Sequence, residues 1–377
     1  MLDFTSALYL GLRHPSDSLE SWEALTLGQP SALREPPDAQ AVALELARLQ
    51  GCEAGLLLPS TLHLFWDLFA VLGRGEAIIL RDAGTYPIAR WGTERAQAMG
   101  TPVRTFAHYD AASLARMVES AMRERLKPIV VTDGFCPRCG EAAPVGAYAQ
   151  LALRAGGRLV LDDTQALGIL GERRHPAQPY GTGGGGSLRW HDTFGGHIVT
   201  CSSLAKGFGV PVAMIAGERG LIERFRQESE TRLHCSPPSA AVIHAARAAL
   251  ETNRSRGDAL RRWLLHLVIR LRTRLIDAGL TPSGRLPFPV QTFVSARRNA
   301  ALLHDRLQDA GIQGLLTTTC RALAAGLTLL ITARHRVAEI ERTGRVIADA
   351  AGGTADRLYP TIEDSWAGYA LCPARIR

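Results

Sequence analysis

Of the 43 lysines and arginines in this 377-residue chain only two are lysine, Lys127 and Lys206, which leaves forty-one arginines. Lys206 lies in the run Ser202-Ser203-Leu204-Ala205-Lys206-Gly207-Phe208-Gly209. On a solvated surface the two residue types serve equally well, and a coding bias toward arginine explains the scarcity. Arginine cannot replace lysine where a neutral primary amine must form a carbon–nitrogen double bond, because the guanidinium stays protonated. A lysine kept in a Ser/Gly-rich loop of such a chain is therefore a candidate Schiff-base residue.

The neighbouring chemistry has to support that reading. Leu161-Asp162-Asp163-Thr164-Gln165-Ala166-Leu167-Gly168 puts an acid just after an apolar run, and Lys206 follows Asp162 by 44 positions (206 − 162) with Ser203 three before it. Ser60 and Thr61 open a helix whose first N–H groups can hold a phosphate. Tyr86 follows another apolar run and offers a flat ring. Together these are what a pyridoxal phosphate site requires: an amine, a carboxylate that keeps the pyridine nitrogen protonated, a phosphate cradle and a stacking ring. Singly, each has a structural explanation, Asp162 as a helix cap, Ser203 as a turn residue and Tyr86 as core. Their joint order around the scarce lysine favours the site.

The elements that must position these residues are legible as alternating patterns. Residues 54–58, 77–80, 128–132, 158–161, 197–200 and 213–216 read as short strands. Residues 39–50, 61–72, 110–124 and 145–155 read as helices, with Ser60 and Asp110 as caps. This alternation predicts an α/β fold with a mostly parallel sheet flanked by helices, and ligands at the carboxyl ends of its strands. Residues 240–275 read as a long helical connector. A smaller α/β unit follows, with strands at 289–294 and 327–332 and helices at 298–310 and 335–348. The expected division is an N-terminal segment (1–37), a large domain (38–250) and a small C-terminal domain (251–377). The run Tyr180-Gly181-Thr182-Gly183-Gly184-Gly185-Gly186-Ser187 reads as a flexible loop.

Composition narrows the class. Hydrophobic content of 46% with 21% charged residues is ordinary for a globular enzyme. No secretory signal opens the chain, and the most apolar helical stretch (62–72) is interrupted by His63 and Asp67, so no membrane span is expected. Seven scattered cysteines (Cys52, Cys136, Cys139, Cys201, Cys235, Cys320, Cys372) fit reduced thiols of a cytoplasmic protein better than a disulfide framework. The net charge of +7 suits a phosphorylated ligand such as a coenzyme A thioester, or an acidic carrier protein, as well as a generic arginine-rich surface. Arg261, Arg262, Arg270, Arg272 and Arg274 read as the wet face of an apolar helix, and no nucleic-acid motif accompanies them.

With these residues in register the chain resembles a fold-type I pyridoxal phosphate enzyme of the α-oxoamine synthase group, which includes 8-amino-7-oxononanoate synthase. The likeness runs from Leu2-Asp3-Phe4 and Tyr9-Leu10-Gly11-Leu12 to Ile340-Glu341-Arg342. It is carried by Val131-Thr132-Asp133-Gly134 with Gly140-Glu141-Ala142-Ala143-Pro144, by Leu161-Asp162-Asp163 with Gly168-Ile169-Leu170-Gly171, and by Pro237-Pro238. Its most specific part is the block Ser203 to Gly209 around Lys206. The resemblance implies that Lys206 is the imine lysine and Asp162 the partner of the pyridine nitrogen. It also implies that Ser203 and the backbone at Thr61 and Leu62, beside Ser60, bind the phosphate. It further implies a homodimer in which residues near His234 to Ser236 reach the partner's cofactor.

The departures from that family bear on the reaction. Tyr86 stands where a histidine usually stacks on the ring, and Gln165 where a histidine sits near the cofactor's phenolic oxygen. Glutamine can donate a hydrogen bond there but cannot exchange a proton near neutral pH. Pro137 replaces a common serine, and Gly326 and Thr328 occupy the stretch expected to hold a carboxylate-clasping arginine, with Arg321 nearby as a substitute. The family reaction is a decarboxylative condensation of an amino acid with an acyl thioester. An amine substrate, a transamination or an unusual condensation stays open, as does a non-catalytic scaffold, although a scaffold has no need of Lys206. Cys136-Pro137-Arg138-Cys139-Gly140 resembles half of a zinc knuckle. No second Cys or His pair has suitable spacing to complete a set of ligands, so no metal is expected.

Overall fold

The computed structural model describes residues 1–14, 17, 26, 28–175, 178–294, 300–318 and 325–351. In chain order the elements begin with β1 (Leu2–Asp3), α1 (Ala39–Gln50), β2 (Ala54–Leu58), α2 (Thr61–Leu72) and β3 (Ala77–Asp82). There follow α3 (Pro87–Ala98), β4 (Val103–Phe106), α4 (Ala111–Arg123), β5 (Lys127–Asp133), β6 (Phe135–Cys136) and β7 (Glu141–Ala142). Next come α5 (Val145–Arg154), β8 (Arg158–Asp162), α6 (Ser187–His191), β9 (Ile198–Ser203), β10 (Ala213–Gly217), α7 (Arg219–Glu228) and α8 (Glu230–His234). The chain ends in α9 (Ala240–Asp277), β11 (Thr281–Pro282), β12 (Val290–Val294), α10 (Ala300–Asp309), β13 (Ile312–Gln313), β14 (Leu315–Thr318), β15 (Ala325–Leu330) and α11 (Val337–Ala351).

Seven of the described strands form one sheet in the order β2-β10-β9-β8-β5-β3-β4. All its pairings are parallel except those of β10, which runs antiparallel to both neighbours. Central strands such as β5 and β8 are buried along most of their length, which is why they read as unbroken apolar runs. Two clusters of buried apolar side chains seal the sheet's faces, one built on Phe65, Phe69 and Ile215, the other on Phe106, Tyr148 and Leu161. Because every strand but β10 points the same way, the carboxyl ends of β2, β3, β4, β5, β8 and β9 share one edge. That edge carries all the chemistry described below. The second sheet, β11-β12-β15-β14, is antiparallel, and β1 pairs with β13 beside it.

Two elements beside the site leave little trace in the alternation pattern. Helix α3 buries only the small residues Ala89, Gly92, Thr93 and Ala96 and so lacks a bulky apolar stripe, but it carries its own start signal, Pro87 at the first helical position. Strand β4 is an edge strand with only Phe106 fully buried. Two sequence expectations fail on burial. Arg261 is not on a wet face: it is 2% exposed and donates to the Gly168 carbonyl (2.9 Å), Asn253 Oδ1 (2.7 Å) and Asp258 Oδ1 (2.6 Å). The glycine run at 181–186 is not a loose loop. Gly183 N donates to Asp258, Gly186 N to Leu170 O, and Gly184 O accepts from Gly168 N. Tertiary partners, invisible in a local window, supply what the run itself lacks. No described helix is long and apolar enough to cross a membrane.

Candidate active site

The site is assembled from the sheet edge outward. Asp133 ends β5 and Asp162 ends β8, and the two residues are register partners across adjacent parallel strands. Burial pushes both carboxyls above the ordinary range; the charge of Asp162 raises Asp133 further, whereas the Thr164 hydrogen bonds and the Lys206 charge pull Asp162 back down. Two N–H donors steady them: Tyr86 N reaches Asp133 Oδ1 (3.2 Å) and Thr164 N reaches Asp162 Oδ1 (3.1 Å).

Lys206 follows β9 on the next strand over. Burial lowers the pKa of its amine, against the opposing pull of Asp162 and Asp133. Desolvation therefore favours the neutral, nucleophilic form. Its Nζ lies 5.9 Å from the centroid of the Tyr86 ring. Tyr86 is set in place by its N–H bond to Asp133 and by Pro87 beginning α3. Thr164 ties the acid to the lysine loop, since its Oγ1 accepts from Ser203 N (2.9 Å). Ser203 Oγ in turn accepts from Ala205 N (3.3 Å). The loop turns at Gly207 because a Cβ there would lie 2.4 Å from the Leu167 carbonyl oxygen.

Ser60 is the cap of α2: its Oγ accepts from His63 N (3.4 Å) and bonds His63 Nδ1 (2.8 Å). The N–H groups of Thr61 and Leu62, in the first turn, have no carbonyl one turn back to bond. Thr61 is half-buried and Leu62 exposed, so this end of the helix faces outward. Gln165, half-buried, accepts at Oε1 from the Tyr9 hydroxyl (2.6 Å). Tyr9 is fully buried, and burial raises its pKa far above the usual phenol value, so it is a neutral donor. With Oε1 committed, the Nε2 hydrogens are what the Gln165 side chain has left to offer a ligand.

The structure places the candidates named from sequence, Lys206, Asp162, Ser203, Gln165, Tyr86, Ser60, Thr61 and Leu62, at or after the ends of strands whose carboxyl ends share one sheet edge. The sequence reading did not single out Asp133, Thr164 or Tyr9 for the site. Asp133 was legible as a second acid ending an apolar strand; the other two are known only from tertiary contacts. His234, the last residue of α8, and Ser236, just beyond it, are both exposed. Thr328, in the stretch expected to hold an arginine, is 3% exposed and bonded to Thr292 (2.7 Å) and Thr317 (2.6 Å). Arg321 lies outside the described residues.

An amine beside a buried carboxylate, a ring face over the amine, an outward-facing helix N-terminus and a glutamine N–H donor fit pyridoxal phosphate. On this mixed sheet they define the class of fold-type I pyridoxal phosphate-dependent transferases. The chain belongs to the aminotransferase class I and II family, whose model matches residues 52–326. Solved structures with the same fold include a serine palmitoyltransferase of Sphingomonas wittichii (16% identity, TM-score 0.79, 93% of this chain and 87% of that one). Another is 8-amino-7-oxononanoate synthase of Francisella tularensis (16%, 0.72, 93% and 98%). A high-resolution SPT structure holding PLP matches at 16% identity and a TM-score of 0.81, over 93% of this chain and 88% of that chain.

Proposed function

We propose that this protein is an α-oxoamine synthase-like acyltransferase that condenses an amino acid with an acyl thioester, with loss of carbon dioxide. The observation that carries the reading is the Lys206 amine, driven toward neutrality by burial, facing Tyr86 and flanked by the acids of β5 and β8. When bound, the cofactor supplies an electron sink for negative charge at the substrate α-carbon. Lys206 Nζ would hold the cofactor and, once the substrate's amino group has displaced it, the freed amine would take the proton from that carbon. The Asp162 carboxylate keeps a proton on the pyridine nitrogen. Gln165 Nε2 donates to the phenolic oxygen without moving a proton. Ser203, Ser60 and the N–H groups of Thr61 and Leu62 anchor the phosphate at the helix N-terminus.

The acyl donor fits the basic surface, the net charge being +7, as a coenzyme A or carrier-protein thioester. The assembly is a homodimer. Exposed Leu62, Trp66 and Trp91 near the site and exposed Leu233 beside His234 supply apolar area for a second copy to cover. The large domain is 38–250 and the small one 251–377. An amino-donor screen on the purified protein separates this reading from its rivals. Release of free coenzyme A with carbon dioxide marks the synthase. Conversion of the cofactor to its amine form, with a keto acid released, marks an aminotransferase. No spectral response to any donor marks a scaffold.

A further inference from the structure

The Cys136–Cys139 pair gains a third neighbour from a segment the sequence does not connect to it. His108 follows β4, and the ligating atoms of His108, Cys136 and Cys139 all lie within 4.8 Å of one another. His108 Nε2 is 3.4 Å from Cys139 Sγ. Both cysteines are buried and neither is in a disulfide.

The other face of the imidazole is fixed. His108 Nδ1 is 2.6 Å from Asp82 Oδ1, at the carboxyl end of β3. The same carboxylate accepts from Gly84 N (2.6 Å) and Tyr109 N (3.0 Å), so its oxygens act as acceptors and the imidazole supplies the proton at Nδ1. In the tautomer with its proton at Nδ1, the ring turns its Nε2 lone pair toward Cys139 Sγ. A carboxylate holding the remote nitrogen of a ligating histidine is the usual outer support of a zinc ligand.

We propose that His108 Nε2, Cys136 Sγ and Cys139 Sγ form a zinc site with its remaining position open to water or another small ligand. Two ligands on one tetrahedral zinc sit roughly 3.5–3.8 Å apart, given Zn–S near 2.3 Å and Zn–N near 2.0 Å. The 3.4 Å between His108 and Cys139 is already close to that spacing. Two thiolates with one imidazole suit a borderline-soft cation rather than magnesium or calcium. A redox dithiol is the competing use of such a pair, but that chemistry rests on a thiolate stabilised at a helix N-terminus or by a cation. Here the cysteines lie in the β6–β7 hairpin, with α5 starting only at Val145.

The hairpin turn between the two sulfurs is tight. Gly140 N closes the turn on Cys136 O (2.8 Å), and Gly140 has φ +68 with no room for a Cβ, which would lie 2.9 Å from Gly284. The site would fasten the loop after β5 to the ends of β3 and β4. Tyr109, next to His108, donates to the Asp133 carbonyl (2.9 Å), so the fastening abuts the wall of the candidate active site.

The test is metal content, which does not depend on the reaction catalysed. Tag-free protein is incubated with zinc chloride and reductant, desalted and analysed by elemental mass spectrometry and zinc X-ray absorption. The expected result is about one zinc per chain with two sulfurs near roughly 2.3 Å and one nitrogen near roughly 2.0 Å. Cys136→Ser and Cys139→Ser each lose it and Cys201→Ser, a buried thiol outside the cluster, keeps it. Wild-type protein that retains no zinc, retained zinc with no sulfur neighbours, or a Cys136–Cys139 disulfide formed in place of metal binding would each overturn the proposal. If the cysteine variants fail to fold, the absorption spectrum of the wild type decides alone.

Discussion

Replacing Tyr9 by phenylalanine tests how the glutamine of the site is oriented. The hydroxyl is fully buried and sits 2.6 Å from Gln165 Oε1. Its removal leaves a half-buried amide oxygen without its donor while keeping the ring, which packs edge-on to Phe288 at 5.9 Å. The cost of stranding such an acceptor is about 1–3 kcal/mol. Part of that cost appears as stability. The rest appears at the site, because an unanchored amide can present either end to the cofactor. A penalty of about 1.4 kcal/mol at that contact lowers kcat/KM about tenfold. The assays are a thermal melt, the visible spectrum of the holoenzyme across pH, and steady-state kinetics with the best donor from the screen. Tyr180→Phe is the control: Tyr180 is 2% exposed and donates to the Pro287 carbonyl (2.6 Å) rather than to Gln165. It should lose comparable stability with an unchanged spectrum. If Tyr9→Phe melts earlier but leaves spectrum and kcat/KM as in the wild type, Gln165 does not act on the cofactor and the orientation argument is wrong.

Three further expectations follow from the structure. Lys206→Arg keeps the fold but loses the visible absorbance of covalently held cofactor, since guanidinium cannot replace the amine; an unchanged spectrum refutes the assignment. Asp163, fully buried, has its pKa raised from 3.8 to about 7 by burial, even though Ser187 N–H (2.9 Å) and Oγ–H donate to it. A raised carboxyl means that the folded state resists ionisation. Its contribution is therefore most favourable below pH 3.8 and declines as pH climbs toward about 7, by on the order of 4 kcal/mol. Urea midpoints over that range should slope less in Asp163→Asn, and equal slopes would count against the reading. Arg261→Met should cost about 2–3 kcal/mol by stranding the Gly168 carbonyl and Asn253, while Arg262→Met, on the exposed side of α9, costs almost nothing. Equal melting temperatures for the two variants would contradict the burial argument.

Local pattern carries the parts of this protein that depend on neighbours in sequence. The strands of the main sheet are legible because residues buried on both faces must be apolar in series. The caps Ser60 and Asp110 are legible because a short polar side chain just before an apolar-periodic run can accept from the first free N–H groups of a helix. The candidate lysine stands out because one chemistry excludes arginine. What local pattern cannot carry is pairing across the sheet. That Asp133 lies beside Asp162, that Tyr9 holds Gln165 from 156 positions away and that Arg261 is buried under the glycine run all follow from strand order and chain crossing.

The zinc cluster shows the same division most plainly. The spacing of Cys136 and Cys139 supplies two sulfurs, and as a sequence motif it stops there. His108 joins them only because β4 and β5 flank β3, so that the segments leaving all three strands meet at one edge. Residue types set which chemistry is available to this chain. The parallel sheet, by aligning the carboxyl ends of strands far apart in sequence, decides which of those residues meet.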